Sequence, residues 1–310
     1  MLNVTFRDYV RAMLFSNPLL YWDEFSRAKR AFKNWPNAIL FKAGILDGFM
    51  GKLKNGKKIK IGNLWDYYRV LYACSLGYVK IWGVIIEFRF KDRRLKFYSN
   101  TSKRGLVDAL KVLSETFGME TYKQLNVKGK IVVDIGSYIG DSPIYFILRG
   151  AKRVYALEPY PNSYSLLLKN IEINGLDGKI IAFNEGLSEN VGKIRIKEDY
   201  RALATSRLKD FHQGKHVKLT TLEEIVERFN LKDACLKMDC EGCEYSILKT
   251  PKNALKAFHE IIMEYHYGYK DIKEKLEKVG FQVKNTKPIF YRGDHRLLMG
   301  YLHATNMNIT

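Results

Sequence analysis

The 310 residues are 46% hydrophobic and 13% aromatic, enough to build a sizeable core and to exclude wholesale disorder. No apolar run approaches the roughly 18 residues of a membrane span; the densest, IWGVIIEF at Ile81–Phe88, already holds Glu87. The formal charge of +19 is lopsided, because residues 1–130 hold 25 Lys+Arg against 10 Asp+Glu (+15) while residues 131–310 hold 27 against 23 (+4).

The chain starts MLNVTFRDYVRAMLF, with charges inside the apolar stretch and no small-residue cleavage site, which argues against a signal peptide and for a cytoplasmic protein. Two amphipathic helices are predicted at about Phe6–Phe15 and Trp22–Phe32. KLKNGKKIKI, Lys52–Ile61, reads as a hairpin turning at Asn55-Gly56. Val84–Phe90 and Arg94–Tyr98 flank a second turn at Lys91-Asp92-Arg93, and a helix is expected from about Arg104 to Leu125. Residues 1–103 thus form a basic, aromatic-rich α+β region, and residues 104–310 a second domain. The first attracts a nucleic acid or an anionic membrane surface, or is simply a solvated lysine-rich face.

From Ile131 short apolar runs alternate with helical patterns, the signature of a mostly parallel α/β sheet. Strands are predicted at Ile131–Ile135, Arg153–Leu157, Ile180–Asn184, Ala234–Asp239 and Glu260–His266. Ser142-Pro143 reads as a helix start closed by Gly150, and Asn162 or Ser163 opens a helix that Gly175 closes. Thr220-Thr221 with Glu223-Glu224 forms a capping box, and a last helix, about Lys270–Val279, stops at Gly280. Phe281–Asn285 and Arg296–His303 follow as two extended runs around Gly293-Asp294, an antiparallel hairpin. Five parallel strands plus that hairpin define a Rossmann-like, seven-stranded α/β sheet.

The chemistry gathers at strand ends. In VVDIGSYIGDS, Val132–Ser142, Asp134 ends a strand, Gly136 permits a tight turn, Gly140 lets backbone approach a ligand, and Asp141 opens a helix. This D-x-G-x-x-x-G spacing differs from the pyrophosphate-binding G-x-G-x-x-G and suits a cofactor carrying a sulfonium and an amino group. Glu158 lies 22 residues beyond Gly136, where an acid accepts hydrogen bonds from both hydroxyls of a ribose. Together they imply S-adenosyl-L-methionine, with Tyr138 and Pro159 lining the pocket and Asn184 and Glu185 at the adenine edge. The next strand ends in LKMDCEGCEYSIL, Leu236–Leu248, which crowds Asp239, Glu241 and Glu244 together, and Glu264 and His266 end the neighbouring strand. One of Asp239, Glu241, Glu264 or His266 is the general base for an acceptor hydroxyl. Crowded carboxylates would also suit magnesium or calcium, but no metal site is assigned. Cys240 and Cys243 are read as small buried side chains in preference to a redox pair or half a zinc site. No Asn/Asp-Pro-Pro-Tyr turn and no Pro-Cys pair is present, which favours oxygen over amine or pyrimidine carbon as acceptor.

These motifs resemble the FkbM family of methyltransferases over about residues 120–285: VVDIGSYIGDS, ALEPYPNSYSLLLKNIEINGL, the K-x-D-x-E-G-x-E pattern of LKMDCEGCEYSIL, and the E-x-H of MEYH. The resemblance implies a class I fold and O-methylation of a small molecule, sugar or glycan. It gives cofactor roles to Asp134, Gly136, Gly140, Asp141 and Glu158, and pocket positions to Asp239, Glu241, Glu244, Glu264 and His266. The basic region, as a cap, is expected to recruit the acceptor. An RNA methyltransferase, or a binding protein with a vestigial cofactor pocket, are the rival expectations.

Overall fold

A computed structural model describes residues 18–77, 79–197, 210, 213–286, 288–291 and 294–308; the helix expected at about Phe6–Phe15 lies outside them. The chain forms two compact units, Met1–Glu120 with Arg292–Asp294, and Thr121–Tyr291 with His295–Thr310.

The first unit runs α1 (Pro18–Ala31), α2 (Trp35–Lys42), β1 (Phe49–Lys52), β2 (Lys58–Ile61), α3 (Leu64–Ser75), β3 (Val79–Trp82), β4 (Ile85–Phe90), β5 (Arg93–Tyr98) and α4 (Lys103–Leu113). Both predicted hairpins form, and β3 adds a third strand to the second. Alternation splits the first hairpin into two faces. Phe49 and Ile61 turn inward to pack with Phe32, Phe41 and Tyr67, while Met50, Lys52, Lys58 and Lys60 face solvent beside the exposed turn lysines Lys54 and Lys57. Two helices escaped the sequence reading. Trp35-Pro36 opens α2 without a side-chain cap, and Asn63 caps α3 by accepting the Asp66 amide. Helix α4 ends at Leu113, well short of the expected Leu125. A wider π turn, Ser114–Gly118, follows it, at the point where Arg27 donates to Ser114 Oγ at 2.7 Å and pairs with Glu115 at 3.5 Å.

The second unit contains β6 (Ile131–Ile135), α5 (Asp141–Leu148), β7 (Arg153–Leu157), α6 (Pro161–Ile173), β8 (Ile180–Phe183), β9 (Glu185–Leu187), β10 (Gly192–Ile196), β11 (Lys215–Thr220), α7 (Leu222–Arg228), β12 (Ala234–Met238), α8 (Lys252–Leu255), β13 (Phe258–Tyr265), α9 (Lys270–Val279), β14 (Phe281–Asn285), β15 (Ile289–Tyr291) and β16 (Asp294–Asn306). Its main sheet has the order β14-β16-β13-β12-β6-β7-β8. The five predicted parallel strands form in their predicted places, and β12 is buried at every residue, as a central parallel strand must be. The terminal hairpin forms too, but β16 inserts between its partner and the rest. It pairs antiparallel with β14 (Phe281↔Asn306) and with β13 (Glu260↔Thr305). Within the connection, β15 also pairs with β16.

Three details differ from expectation. Gly140 (φ +91°), and not Ser142, caps α5; the Ser142 hydroxyl is engaged elsewhere. Half of the capping box forms: Thr221 accepts the Glu224 amide at 3.1 Å, but the Glu224 carboxylate is taken by Thr220, Lys218 and Arg228. Between β8 and β12 a small sheet, β10-β11-β9, was not anticipated.

Candidate active site

The turn after β6 is held from three sides. The amides of Gly136 and Ser137 both donate to the Leu157 carbonyl at 3.0 Å, tying the turn to the end of β7. Asp134 is fully buried; its Oδ2 accepts Ser142 Oγ at 2.7 Å, and its Oδ1 lies 2.9 Å from Lys237 Nζ. Gly136 has φ +78°, and a Cβ there would sit 1.9 Å from the Asp239 carbonyl oxygen, so no other residue fits between this turn and the end of β12.

Glu158, just past β7, is buried, and backbone amides fix it: Tyr138 donates to Oε2 at 2.8 Å and Tyr160 to Oε1 at 2.9 Å. Tyr138 reaches it through a left-handed backbone (φ +44°). Burial pushes the Glu158 carboxyl up to about 7, against the pull of the two amides and of Lys237. Asn184 Nδ2 donates to the carbonyls of Glu158 and Pro159 at 2.9 and 3.0 Å, so it braces that bend. Glu185 is occupied differently. Arg228 grips both its oxygens at 3.1 and 2.9 Å, and Lys218 stands 4.0 Å away.

At the end of β12, Asp239 Oδ2 accepts the Tyr122 hydroxyl at 3.0 Å. Burial and the Asp239 charge push the Tyr122 phenol well above its ordinary value, with Asp141 and Glu264 acting in the same sense, so Tyr122 stays a donor. Lys237 lies beneath. Its Nζ donates to the Gly136 carbonyl at 2.7 Å and faces the Tyr122 ring at 5.6 Å. Burial pushes this ammonium down, but Asp134 and Asp239 more than offset it. Lys237 stands two residues before Asp239 in LKMDCEGCEYSIL, and the sequence reading gave it no role. It missed Tyr122 altogether, because nothing local marks a tyrosine 117 positions from its partner.

His266, just past β13, is buried between Glu241 (Nε2 to Oε2, 3.1 Å) and Glu244 (Nδ1 to Oε1, 3.2 Å). Burial alone would lower its pKa, yet the two carboxylates hold it up at about 12. The imidazole is therefore a cation at neutral pH and has no lone pair with which to act as a base. Glu244 is spent as well, since the amides of Cys240 and Gly242 donate to it at 3.0 and 2.8 Å. Asp239, Glu241 and His266 each bring one ligand atom within 4.8 Å of the others, but a divalent cation would need the imidazole neutral and turned off Glu241. Glu264 lies on β13 opposite Tyr301 of β16. The cysteines depart from expectation: Cys240 and Cys243 form a disulfide across a turn whose Cα atoms are 5.5 Å apart.

A seven-strand sheet path with one reversed strand, a left-handed glycine turn after its central strand and a buried acid after the next one define a class I methyltransferase fold. Residues 134–283 match the Methyltransferase FkbM domain, and this stretch of the chain is an FkbM methyltransferase domain. A similar protein is the hexuronic acid methyltransferase AglP of Haloferax volcanii, 28% identical over 160 residues, or 51% of this chain and 65% of that protein. The chain thus spans less than two thirds of that relative. Among solved structures, an FkbM methyltransferase from Methylobacillus flagellatus is 16% identical (64% of this chain, 54% of that one, TM-score 0.39). TrmK of M. capricolum, in complex with S-adenosyl-homocysteine, is 18% identical (62% and 68%, TM-score 0.41).

Proposed function

We propose that the second unit transfers a methyl group from S-adenosyl-L-methionine to a hydroxyl of an acidic sugar or a glycan containing one. The observation that carries the cofactor is Glu158: a buried carboxylate, fixed by two amides beside a glycine turn, is built to receive a pair of hydroxyls. Asp134, Gly136, Tyr138, Gly140, Asp141, Pro159 and Asn184 complete that cradle, with Glu185 behind them on Arg228. The acceptor class follows from the similarity to a hexuronic acid methyltransferase.

The bound cofactor supplies an electrophilic methyl carbon on a sulfonium. Everything else falls to the chain. Positioning the acceptor oxygen in line supplies most of the rate. Asp239, whose carboxylate the Tyr122 hydroxyl orients, would take the proton of the acceptor hydroxyl during transfer. Glu241 stands close to this position, and His266 holds Glu241 in place as a cation.

Isothermal titration with S-adenosyl-L-methionine, followed by mass spectrometry of oligosaccharides with and without a hexuronic acid, tests both parts. Tight binding that Glu158→Ala abolishes, with methylation confined to hexuronic acid glycans, supports the reading; an absence of binding by the wild type ends it. A second reading, RNA methylation, draws on the five lysines presented outward by the β1–β2 hairpin. It requires RNA affinity that falls steeply with salt, and binding indifferent to salt dismisses it.

A further inference from the structure

The disulfide lies inside the acidic motif at the end of β12. Cys240 and Cys243 bracket Glu241 and Gly242, and both bracketed residues have left-handed backbone, φ +59° and +116°. For glutamate that conformation is unfavourable and persists only when the surroundings impose it. Two restraints impose it here. One is the Glu244 carboxylate, which binds the amides of Cys240 and Gly242; the other is the covalent bridge. The strained turn sets two functional groups. Glu241 points its carboxylate at His266, and Asp239, directly before Cys240, carries the carbonyl against which Gly136 is packed. Cys240 and Cys243 are both only partly buried residues, unlike the strand residues before them. The remaining cysteines, Cys74 and Cys235, stay unbridged.

We propose that the Cys240–Cys243 disulfide is a reversible clasp that positions Asp239 and Glu241, so that methyl transfer is fast in the oxidised protein and slow after reduction. The reductant is a dithiol. One of its thiolates attacks a bridge sulfur, the S–S bond breaks and a mixed disulfide forms; its second thiol then displaces the cysteine. Two electrons pass to the protein, which ends with two thiols, and the reductant ends as its own disulfide. With the bridge open, no covalent restraint remains on the turn beside the Glu244 carboxylate and the His266 ion pair, and Glu241 relaxes toward right-handed backbone and away from His266. The cofactor turn keeps its own ties to Leu157, Ser142 and Lys237, so cofactor affinity is retained.

This inference rests on the methyltransferase reading, and its test has a part that does not. The full-length protein is taken through a dithiol redox series, and the fraction of free Cys240 and Cys243 is read by alkylation and mass spectrometry. The ring-nitrogen NMR signals of His266 are followed in parallel. We expect these signals to shift in step with reduction and to return on reoxidation. Turnover is expected to fall roughly tenfold, a change equivalent to about 1.4 kcal/mol, while the affinity for S-adenosyl-L-methionine changes less than about twofold. In the Cys240→Ser/Cys243→Ser variant, turnover should be low and indifferent to the reductant. His266 signals unmoved by complete reduction overturn the proposal even if no acceptor is known. Shifted signals with unchanged turnover overturn its catalytic half. Should the double variant fold poorly, reversal on reoxidation of the wild type decides the matter by itself.

Discussion

Lys237 Nζ lies 2.9 Å from Asp134 Oδ1, with side-chain exposures of 2% and 0%. This buried pair joins two adjacent strands, since Lys237 and Asp134 are register partners in β12 and β6. The same ammonium reaches on to the Gly136 carbonyl, so the charge under the cofactor turn and the shape of that turn depend on one side chain.

Removing one member of such a pair leaves a buried charge unpaired. Lys237→Met is expected to destabilise the fold by about 3–5 kcal/mol. The Asp134→Asn/Lys237→Met double variant should lose less than the two single variants added together. Urea denaturation of all four proteins measures this, and additive losses would show that the two groups do not depend on each other.

Tyr122→Phe removes one hydroxyl and keeps the ring. Its hydrogen bond to Asp239 is worth about 1 kcal/mol of stability, a small loss on thermal melting. Turnover should drop several-fold with KM for the cofactor unchanged, because Asp239 loses its orientation while Glu158 is untouched. A raised cofactor KM with normal turnover would place Tyr122 on the wrong side of the site.

Glu185 and Arg228 offer a contrast. Arg228 Nη1, shared between both Glu185 oxygens, implies that Glu185→Gln lowers stability by about 1–3 kcal/mol with little effect on cofactor affinity, measured by denaturation and calorimetry on the same sample. A selective loss of affinity would instead put Glu185 at the adenine edge.

His266 and Glu158 both make the fold less stable as pH rises. A histidine raised from 6.5 to about 12 keeps a proton in the folded state that the unfolded chain releases above 6.5. Its contribution is therefore full below 6.5 and declines as pH climbs toward 12. Glu158, raised from 4.5 to about 7, holds an extra proton when folded between those values, so stability declines there too. Cofactor-free protein should lose stability steadily from pH 5 to pH 9, and Glu241→Gln should flatten the upper part of that slope. A stability that rises across this range contradicts both assignments.

The parts of the fold legible in the sequence are those with strong periodicity or fixed punctuation. Strands β6, β7, β12 and β13 are buried runs that the sequence spells as near-continuous apolar stretches, and Gly150, Gly175 and Gly280 end their helices in left-handed conformation as expected. The small sheet was not legible, because β9 is three residues long and KHVKLT of β11 mixes charge into its alternation. Asp239 and Glu158 were singled out because strand ends gather ligands. The state of His266 was not, since it depends on Glu241 and Glu244 folding back from another strand end. The disulfide was hidden for a related reason: C-x-x-C spacing does not reveal a turn with two consecutive left-handed residues.

Cofactor binding carries the sharpest pH signature. Glu158 is protonated in much of the cofactor-free population near neutrality, because its carboxyl is raised to about 7. Ribose hydroxyls donate better to a carboxylate than to a carboxylic acid, so binding favours the ionised form and releases a proton below pH 7. Affinity for S-adenosyl-L-methionine should therefore rise from pH 6 to pH 8 and level off above that. Below the pKa the limiting slope approaches tenfold per pH unit, about 1.4 kcal/mol. Calorimetry in two buffers of different ionisation enthalpy counts the released proton directly. Glu158→Gln should bind more weakly at pH 8 and show neither the slope nor the proton. If that variant keeps both, the titrating group is elsewhere and Glu158 is not the residue that receives the ribose.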